Sequence, residues 1–402
     1  MPSYFGWIDS SEEHRREMLD VIDRFREQDT RDELGIAPIR DGFADLLFPG
    51  TGALQTRARY FLFIPWLYLR LEKRRVPARE APQKGRKAEI ALIEVLLKSA
   101  DANGTIGERA RGALKRLPSN VYWHGLGIWG IRQFSGSQSE YHGSLDRSYR
   151  QGLLRVRDDE ATDQDALPGI WHAGLPNAPI DFPDEASFEL RRDEAEYLRD
   201  RIRSRASSSL LAILLDPGAR KYDDEFPWNH ARLAEFPTDI RTQLWHARNF
   251  SEAMHGAALL YNLMLAEMRA IEKRIDEYAG ALEGWRRALD SRQSDLARWD
   301  RTEMWSIMES HGVRVSTPMR GFVEKWIGIA LDPRQRKAAA HDHAARELIA
   351  ARERSLKGPL ARVDSARALE LWGGASGARQ LAYRWPVASR LLRDITTGLG
   401  SA

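Results

Sequence analysis

Two arginines and one basic, aromatic-rich stretch are the residues of this sequence with binding chemistry to offer. Arg57 and Arg59 stand in FPGTGALQTRARYFLFIPWLYLRLEKRR, residues 48–75, among Leu54, Tyr60, Phe61, Leu62, Phe63 and Trp66. A guanidinium is always charged, and its planar fork of donors fits carboxylate or phosphate oxygens in pairs. Beside so much apolar surface it needs an anionic or carbonyl partner, because an unpaired buried cation is prohibitively costly. The turn residues Pro49, Gly50 and Gly52 predict a helix from about Gly52, whose start would favour a bound phosphate. The competing reading is internal pairing with Asp32, Asp41 or Asp45. Two positions apart on one helix, Arg57 and Arg59 point different ways. One is therefore expected to be buried and paired with Asp41 or Asp45, and the other left for a ligand or partner. FPGTGALQT lacks the lysine and the spacing of a phosphate-binding Walker loop.

The second stretch, KRLPSNVYWHGLGIWGIRQ, interleaves Lys115, Arg116 and Arg132 with Tyr122, Trp123 and Trp129. Cations beside aromatic faces suit single-strand stacking or a helix that reads nucleic acid, and Pro118-Ser119 makes a sensible helix start. Gly125, Gly127 and Gly130 weaken such a helix, and tryptophans in a chain with 13 of them are usually core. RRVPAREAPQKGRK, residues 74–87, is the other basic candidate and reads as a solvated loop. The expected nucleic-acid or partner contacts are thus Arg57, Arg59, Lys115, Arg116, Tyr122, Trp123 and Arg132.

No complete catalytic or metal motif accompanies them. The absence of cysteine removes disulfides, thiolate nucleophiles and cysteine-based metal sites. His341 and His343, two apart in a helical pattern, fall on different faces, while His246 and His255 read as satisfied core histidines. The acids of DDEFPWNH, 223–230, are consecutive and point apart, so a solvated turn is expected there. GGASGARQLAYRW, 373–385, has glycines able to form an anion-cradling turn near Arg379 and Arg384, or simply a tight connection docking the last helix through Tyr383 and Trp385. No catalytic residue, metal or cofactor is expected, although an enzyme with an unrecognised carboxylate site stays open.

The elements that must position these residues are helical. With 402 residues and 43% hydrophobic content, the chain has room for two or three domains and a sizeable core. Its 61 Lys+Arg against 58 Asp+Glu leave a formal +3, so any nucleic-acid contact must come from a local patch. Ser10 to Glu13 reads as a capping box opening a first helix with Met18, Ile22 and Phe25 at helical spacing. IAPIRDGFADLLF predicts a second helix, Ala88 to Ala100 another, and Leu244, Met254, Ala258, Tyr261, Leu265 and Met268 share one face of a long one. The expectation is a mainly α, multi-lobed protein with minor strands possible in 120–185. An N-terminal helical domain over 1–132, a loop-rich linker over 133–186 and a C-terminal helical domain over 187–402 are expected. The N-terminus lacks the layout of a secretory signal and the apolar run at 60–71 is short for a bilayer, which points to a cytoplasmic protein without a membrane partner.

The segments FGWIDSSEEHRREMLDVIDRF, FADLLFPGT with QTRARYFLFIPW, LPSNVYWHGLGIWGI, HARNFSEAMHGAALLYN and LWGGASGARQLAYRW resemble an uncharacterised bacterial domain-of-unknown-function family, over nearly the whole chain. QTRARYFLF is the most specific of them. The resemblance implies genes placed in phage-defence or mobile-element clusters, near helicase-like and phospholipase-D-like nuclease genes. It implies a role in a multi-protein defence system. With the arginine/aromatic N-terminal half as the contact surface, the expectation is a non-enzymatic subunit of an antiphage system that binds DNA or a DNA-processing partner, with a protein-only scaffold as the alternative. It carries over no catalytic residue.

Overall fold

The computed structural model describes residues 32–157 and 170–400, the side chains of 151–157 and of Ala219 excepted. Among them are sixteen α-helices joined by turns and short 3-10 segments, and no strands; a single antiparallel bridge pairs Arg132 with Trp171. The expected first helix, with Met18, Ile22 and Phe25, lies outside the described residues. No described helix is long and apolar enough to cross a membrane.

The chain packs as two compact units, each built from discontinuous pieces. One runs through Phe43 and from Thr242 to Leu381; the other holds Ala44–Arg241 and the chain from Ala382 onward. The boundaries expected at 132/133 and 186/187 both fall inside the second unit. Composition changes at those points along the sequence, whereas packing groups residues that meet in space.

The second unit is organised around α2 (Tyr60–Lys73), which follows α1 (Ala37–Leu47). Every residue of α2 from Tyr60 to Tyr68 is buried, Pro65 included. Apolar on all sides, such a helix is stable only at the centre of a core. Its first turn begins at Tyr60, not near Gly52, because Thr51 to Arg59 run as turns and extended backbone. Against it packs α3 (Ala81–Leu96), which buries Gly85, Glu89, Leu92, Ile93 and Leu96 at helical spacing. Pro82 sits in the first turn of α3, where proline is tolerated because its missing N–H has no intrahelical acceptor. The second half of the basic stretch 74–87 is therefore helical, not a loop. Helices α4 (Pro118–Ile128) and α5 (Gln138–Arg157) follow, the latter inside the segment expected to be loop-rich; its Tyr141 and Leu145 are core residues. Helix α6 (Arg192–Arg205), the short α7 (Leu210–Ile213) and, after the other unit, α16 (Trp385–Gly398) complete it. α16 buries Trp385, Ala388, Leu391, Leu392 and Ile395 and packs on α6, where a Cβ on Gly398 would come within 2.8 Å of the Ala195 Cβ.

The first unit is built on α8 (Thr238–Met268), with α9 (Glu272–Ser291), α10 (Gln293–Leu296), α11 (Arg301–Ser310), α12 (Thr317–Leu331), α13 (Pro333–Ala338), α14 (His343–Lys357) and α15 (Ala366–Glu370). Gly256 lets α9 approach α8: a Cβ there would lie 2.3 Å from the Trp285 ring. Trp326 of α12 donates to the Ala253 carbonyl at 2.9 Å and lies 6.2 Å from Trp285, ring centre to ring centre. This is a tryptophan-rich helix core, as the tryptophan count predicts.

Candidate nucleic-acid interface

Arg57 and Arg59 each meet a carboxylate of the protein itself. Arg57 lies in the extended approach to α2, its Nε 3.0 Å from Asp394 Oδ2 and its Nη1 2.7 Å from Asp101 Oδ2. Nη1 also donates to the Asn103 carbonyl at 2.9 Å, and the guanidinium sits 4.7 Å over the Phe188 ring. Asp394 accepts the Ala58 amide as well, at 2.8 Å. Burial raises the pKa of Asp394 above its ordinary value, and Arg57 opposes that shift. Arg59 is the more deeply buried: its Nη2 is 2.8 Å from Glu194 Oε1, a carboxylate with no solvent-exposed side-chain surface. Its Nη1 donates to the Ser187 carbonyl at 2.9 Å, and the head group covers the rings of Phe63 and Trp66.

The partners expected from sequence proximity are engaged elsewhere. Asp45 pairs with Arg384 at 2.6 Å, Asp41 with Arg40 at 3.1 Å, and Asp32 accepts the amides of Ile36 and Ala37, both at 2.7 Å. Nor is one arginine left for a ligand, since both pair internally. The actual acids, Asp394 and Glu194, are far along the chain, and no local pattern marks them.

Tyr122 and Trp123 are internal as well. The Tyr122 hydroxyl accepts the amides of Thr56 at 2.8 Å and Arg57 at 3.1 Å and donates to the Arg57 carbonyl at 2.9 Å. Its ring meets Phe61 edge-on, and Trp129 stacks on the same Phe61 at 3.8 Å. Trp123, 9% exposed, donates to the Gly136 carbonyl, and Arg132 lies 4.7 Å over its ring. Arg132 donates to the carbonyls of Trp123, Phe134 and Gly136. The alternation of cations and rings in the sequence is here a set of contacts within the protein.

Lys115 is exposed and Arg116 half-buried, in the connection before α4. That connection lies along α3, where Arg86 donates to the Gly112 carbonyl at 3.0 Å and Arg111 is 3.4 Å from Glu94. Lys87 shares the Glu94 face of α3, seven positions earlier. Residues 73–116 carry twelve Lys and Arg against five Asp and Glu, a formal +7 in a chain whose total is +3. One of those five acids, Glu89, is buried. Of this charge, α3 and the 109–116 turn hold seven Lys and Arg against Glu89 and Glu94, while Lys73, Arg74, Arg75 and Arg79 stand at the end of α2 and in the connection after it. The stretch 74–87 thus belongs in part to the same helix as residues 88–96.

Glu89 belongs to a buried network that no local pattern marks. Its Oε2 accepts the Ser119 amide at the start of α4 at 2.8 Å, and its Oε1 accepts the Ser119 hydroxyl at 2.7 Å and faces the Tyr68 hydroxyl at 3.3 Å. Burial pushes its pKa up to about 7, against the pull of the Ser119 hydrogen bonds.

The remaining clusters have structural partners. Asn262 holds both the amide and the carbonyl of Ser376 at 2.8 Å, and Tyr278 donates to the Gly374 carbonyl, so the glycine turn is fastened to α8 and α9. His246 lies between the Trp299 indole and Glu303, and His255 faces the Ala378 carbonyl; burial lowers the pKa of both. No group of three or more His, Asp or Glu among the described residues is arranged to hold a metal ion.

The described structure is that of a helical protein in which Arg57 and Arg59 fasten the core of one unit. A family model matches residues 2–398, and the chain belongs to that family, DUF6361, a family of unknown function. No curated protein and no solved structure matches it.

Proposed function

We propose that this chain is a non-enzymatic, cytoplasmic DNA-binding subunit of a bacterial antiphage system, acting beside a DNA-processing partner such as a helicase or a phospholipase-D-like nuclease. The observation that carries the DNA reading is the charge of α3 and the 109–116 turn, seven Lys and Arg against Glu89 and Glu94, a formal +5 in a chain of total +3. Such a face attracts phosphate backbones by counterion release and is independent of base sequence. The defence setting rests on the resemblance of the QTRARYFLF and accompanying segments. Of the residues first singled out, Lys115 and Arg116 belong to this face, while Arg57, Arg59, Arg132, Tyr122 and Trp123 support the scaffold that carries it.

The test is DNA binding by the purified protein, followed by fluorescence anisotropy at low and moderate salt, for the parent and for the double variant Lys87→Glu/Arg109→Glu. Both side chains are exposed, so folding is retained. At least a tenfold loss of affinity is expected. An unchanged isotherm overturns the assignment. The alternative, a protein-only adaptor, draws on the exposed Leu360 and Leu371, 71% and 78% accessible; complexes with neighbouring gene products that survive both nuclease and high salt favour it.

A further inference from the structure

Helix α2 has one face that is not sealed into the core. Trp66, Leu69, Arg70 and Lys73 recur at helical spacing, and along this stripe burial gives way to exposure, with Leu69 and Arg70 half-buried and Lys73 exposed. Opposite the stripe runs the segment from Trp171 to Ala178, and between them is a cavity of about 290 Å³. That is the small end of the range for ligand pockets, which run from roughly 300 to 1,000 Å³.

The walls are pinned. The Trp66 indole donates to the Pro176 carbonyl at 2.7 Å, and Arg70 is anchored by the Phe182 carbonyl. The Trp171 indole donates to Glu72 at 2.9 Å. Glu72 also accepts the Tyr141 hydroxyl and does not line the cavity. The lining therefore contains two cations, Arg70 and Lys73, and no carboxylate. His172 completes it, 2.9 Å from Arg201. Burial and that neighbouring guanidinium both lower the His172 pKa, leaving the positive charge to Arg70 and Lys73. The rest of the lining is chiefly apolar: Trp66, Leu69, Trp171, Leu175 and Pro176.

A pre-formed cavity with a largely apolar lining, two cations and no acid is selective for a small anion carrying an apolar body. We propose that this cavity is a binding site for a nucleoside monophosphate, its phosphate held by Arg70 and Lys73 and its base against the Trp171 to Pro176 wall. The guanidinium supplies paired donors, and the ammonium a mobile charge at the mouth. This site is separate from the DNA-binding face on α3 and the 109–116 turn, and it does not depend on that reading.

Isothermal titration calorimetry of the full chain tests it, with the ribonucleoside and deoxyribonucleoside monophosphates as probes and inorganic phosphate and the free nucleosides as controls. At least one monophosphate should bind saturably, and more tightly than phosphate or nucleoside alone. Lys73→Glu should weaken that binding at least tenfold. Ala173→Trp, placed at an exposed position of the lining, should abolish it by filling the cavity. Lys87→Glu/Arg109→Glu, on the other face, should leave it unchanged. Absence of saturable binding by every monophosphate overturns the proposal, as does binding that both cavity variants leave intact.

Discussion

Asp394 lies 3.0 Å from Arg57 across 337 positions of sequence, and the same carboxylate accepts the backbone amide of Ala58. The last helix of the chain thereby fixes the segment that leads into the most buried one. Arg59 does the same for α6 through Glu194. Both arginines are thus elements of the scaffold, and each leaves a buried acid uncompensated if removed.

Arg57→Ala and Arg59→Ala are therefore both expected to destabilise the protein, each by about 3–5 kcal/mol, the usual consequence of breaking a buried pair from one side. Arg191 also contacts Glu194, at 2.9 Å, but its side chain is 47% exposed and compensates poorly. Urea denaturation of the two variants measures this. A midpoint equal to the parent's in either variant would show that its arginine is not a structural clasp.

Tyr122→Phe separates a structural ring from a nucleic-acid platform. Loss of the hydroxyl leaves the amides of Thr56 and Arg57 without their acceptor, at a cost of about 1–3 kcal/mol. DNA affinity measured well below the unfolding temperature should be the parent's, because the ring itself is retained and has no exposed surface. Weaker DNA binding by a variant of parental stability would instead make Tyr122 a contact.

What the sequence disclosed and what it hid divide on physical lines. The apolar periodicity of α1 and α8 and the burial forced on an arginine beside Tyr60 to Trp66 are local facts, and periodicity or transfer energy reads them directly. The identity of the partner acids is not local: Asp394 and Glu194 are ordinary surface-type residues until the fold brings them to Arg57 and Arg59. The start of α3 was hidden because Pro82 reads as a loop residue in a basic stretch although it suits a first helical turn. α5 was hidden because its Ser, Gly and Arg content masks the buried positions Tyr141, His142 and Leu145. The cavity beside α2 was illegible for a further reason: the four α2 residues on its face share helical spacing, but the opposing wall from Trp171 to Ala178 has no periodicity at all.

Glu89 gives a pH signature. Burial pushes its pKa from the ordinary 4.5 up to about 7. Between those values the folded protein keeps a proton that the unfolded chain has released, so more protons are bound in the native state and stability falls as pH rises from about 4.5 to about 7. Below 4.5 both states are protonated and the penalty is absent. The contribution is on the order of 3 kcal/mol. Glu89→Gln, which keeps an acceptor for the Ser119 amide, should lose this slope. The measurement is the difference in unfolding free energy between parent and variant across a pH series. A difference that stays constant from pH 4.5 to 7 would show that Glu89 does not titrate there.

The charge on the connection before α4 yields the last expectation. Lys115 is exposed and Arg116 half-buried beside the Arg86 and Arg111 contacts of α3. If these two cations meet phosphates, each releases close to one counterion, so Lys115→Ala/Arg116→Ala should lower the slope of log affinity against log salt by about 2 in magnitude. Affinity at low salt should fall together with the slope, because a phosphate contact adds to both. A loss of affinity with the slope unchanged would mean that the substitutions disturb the fold beside α3 and do not remove phosphate contacts. An unchanged isotherm would confine the DNA-binding face to α3 and the 109–113 turn.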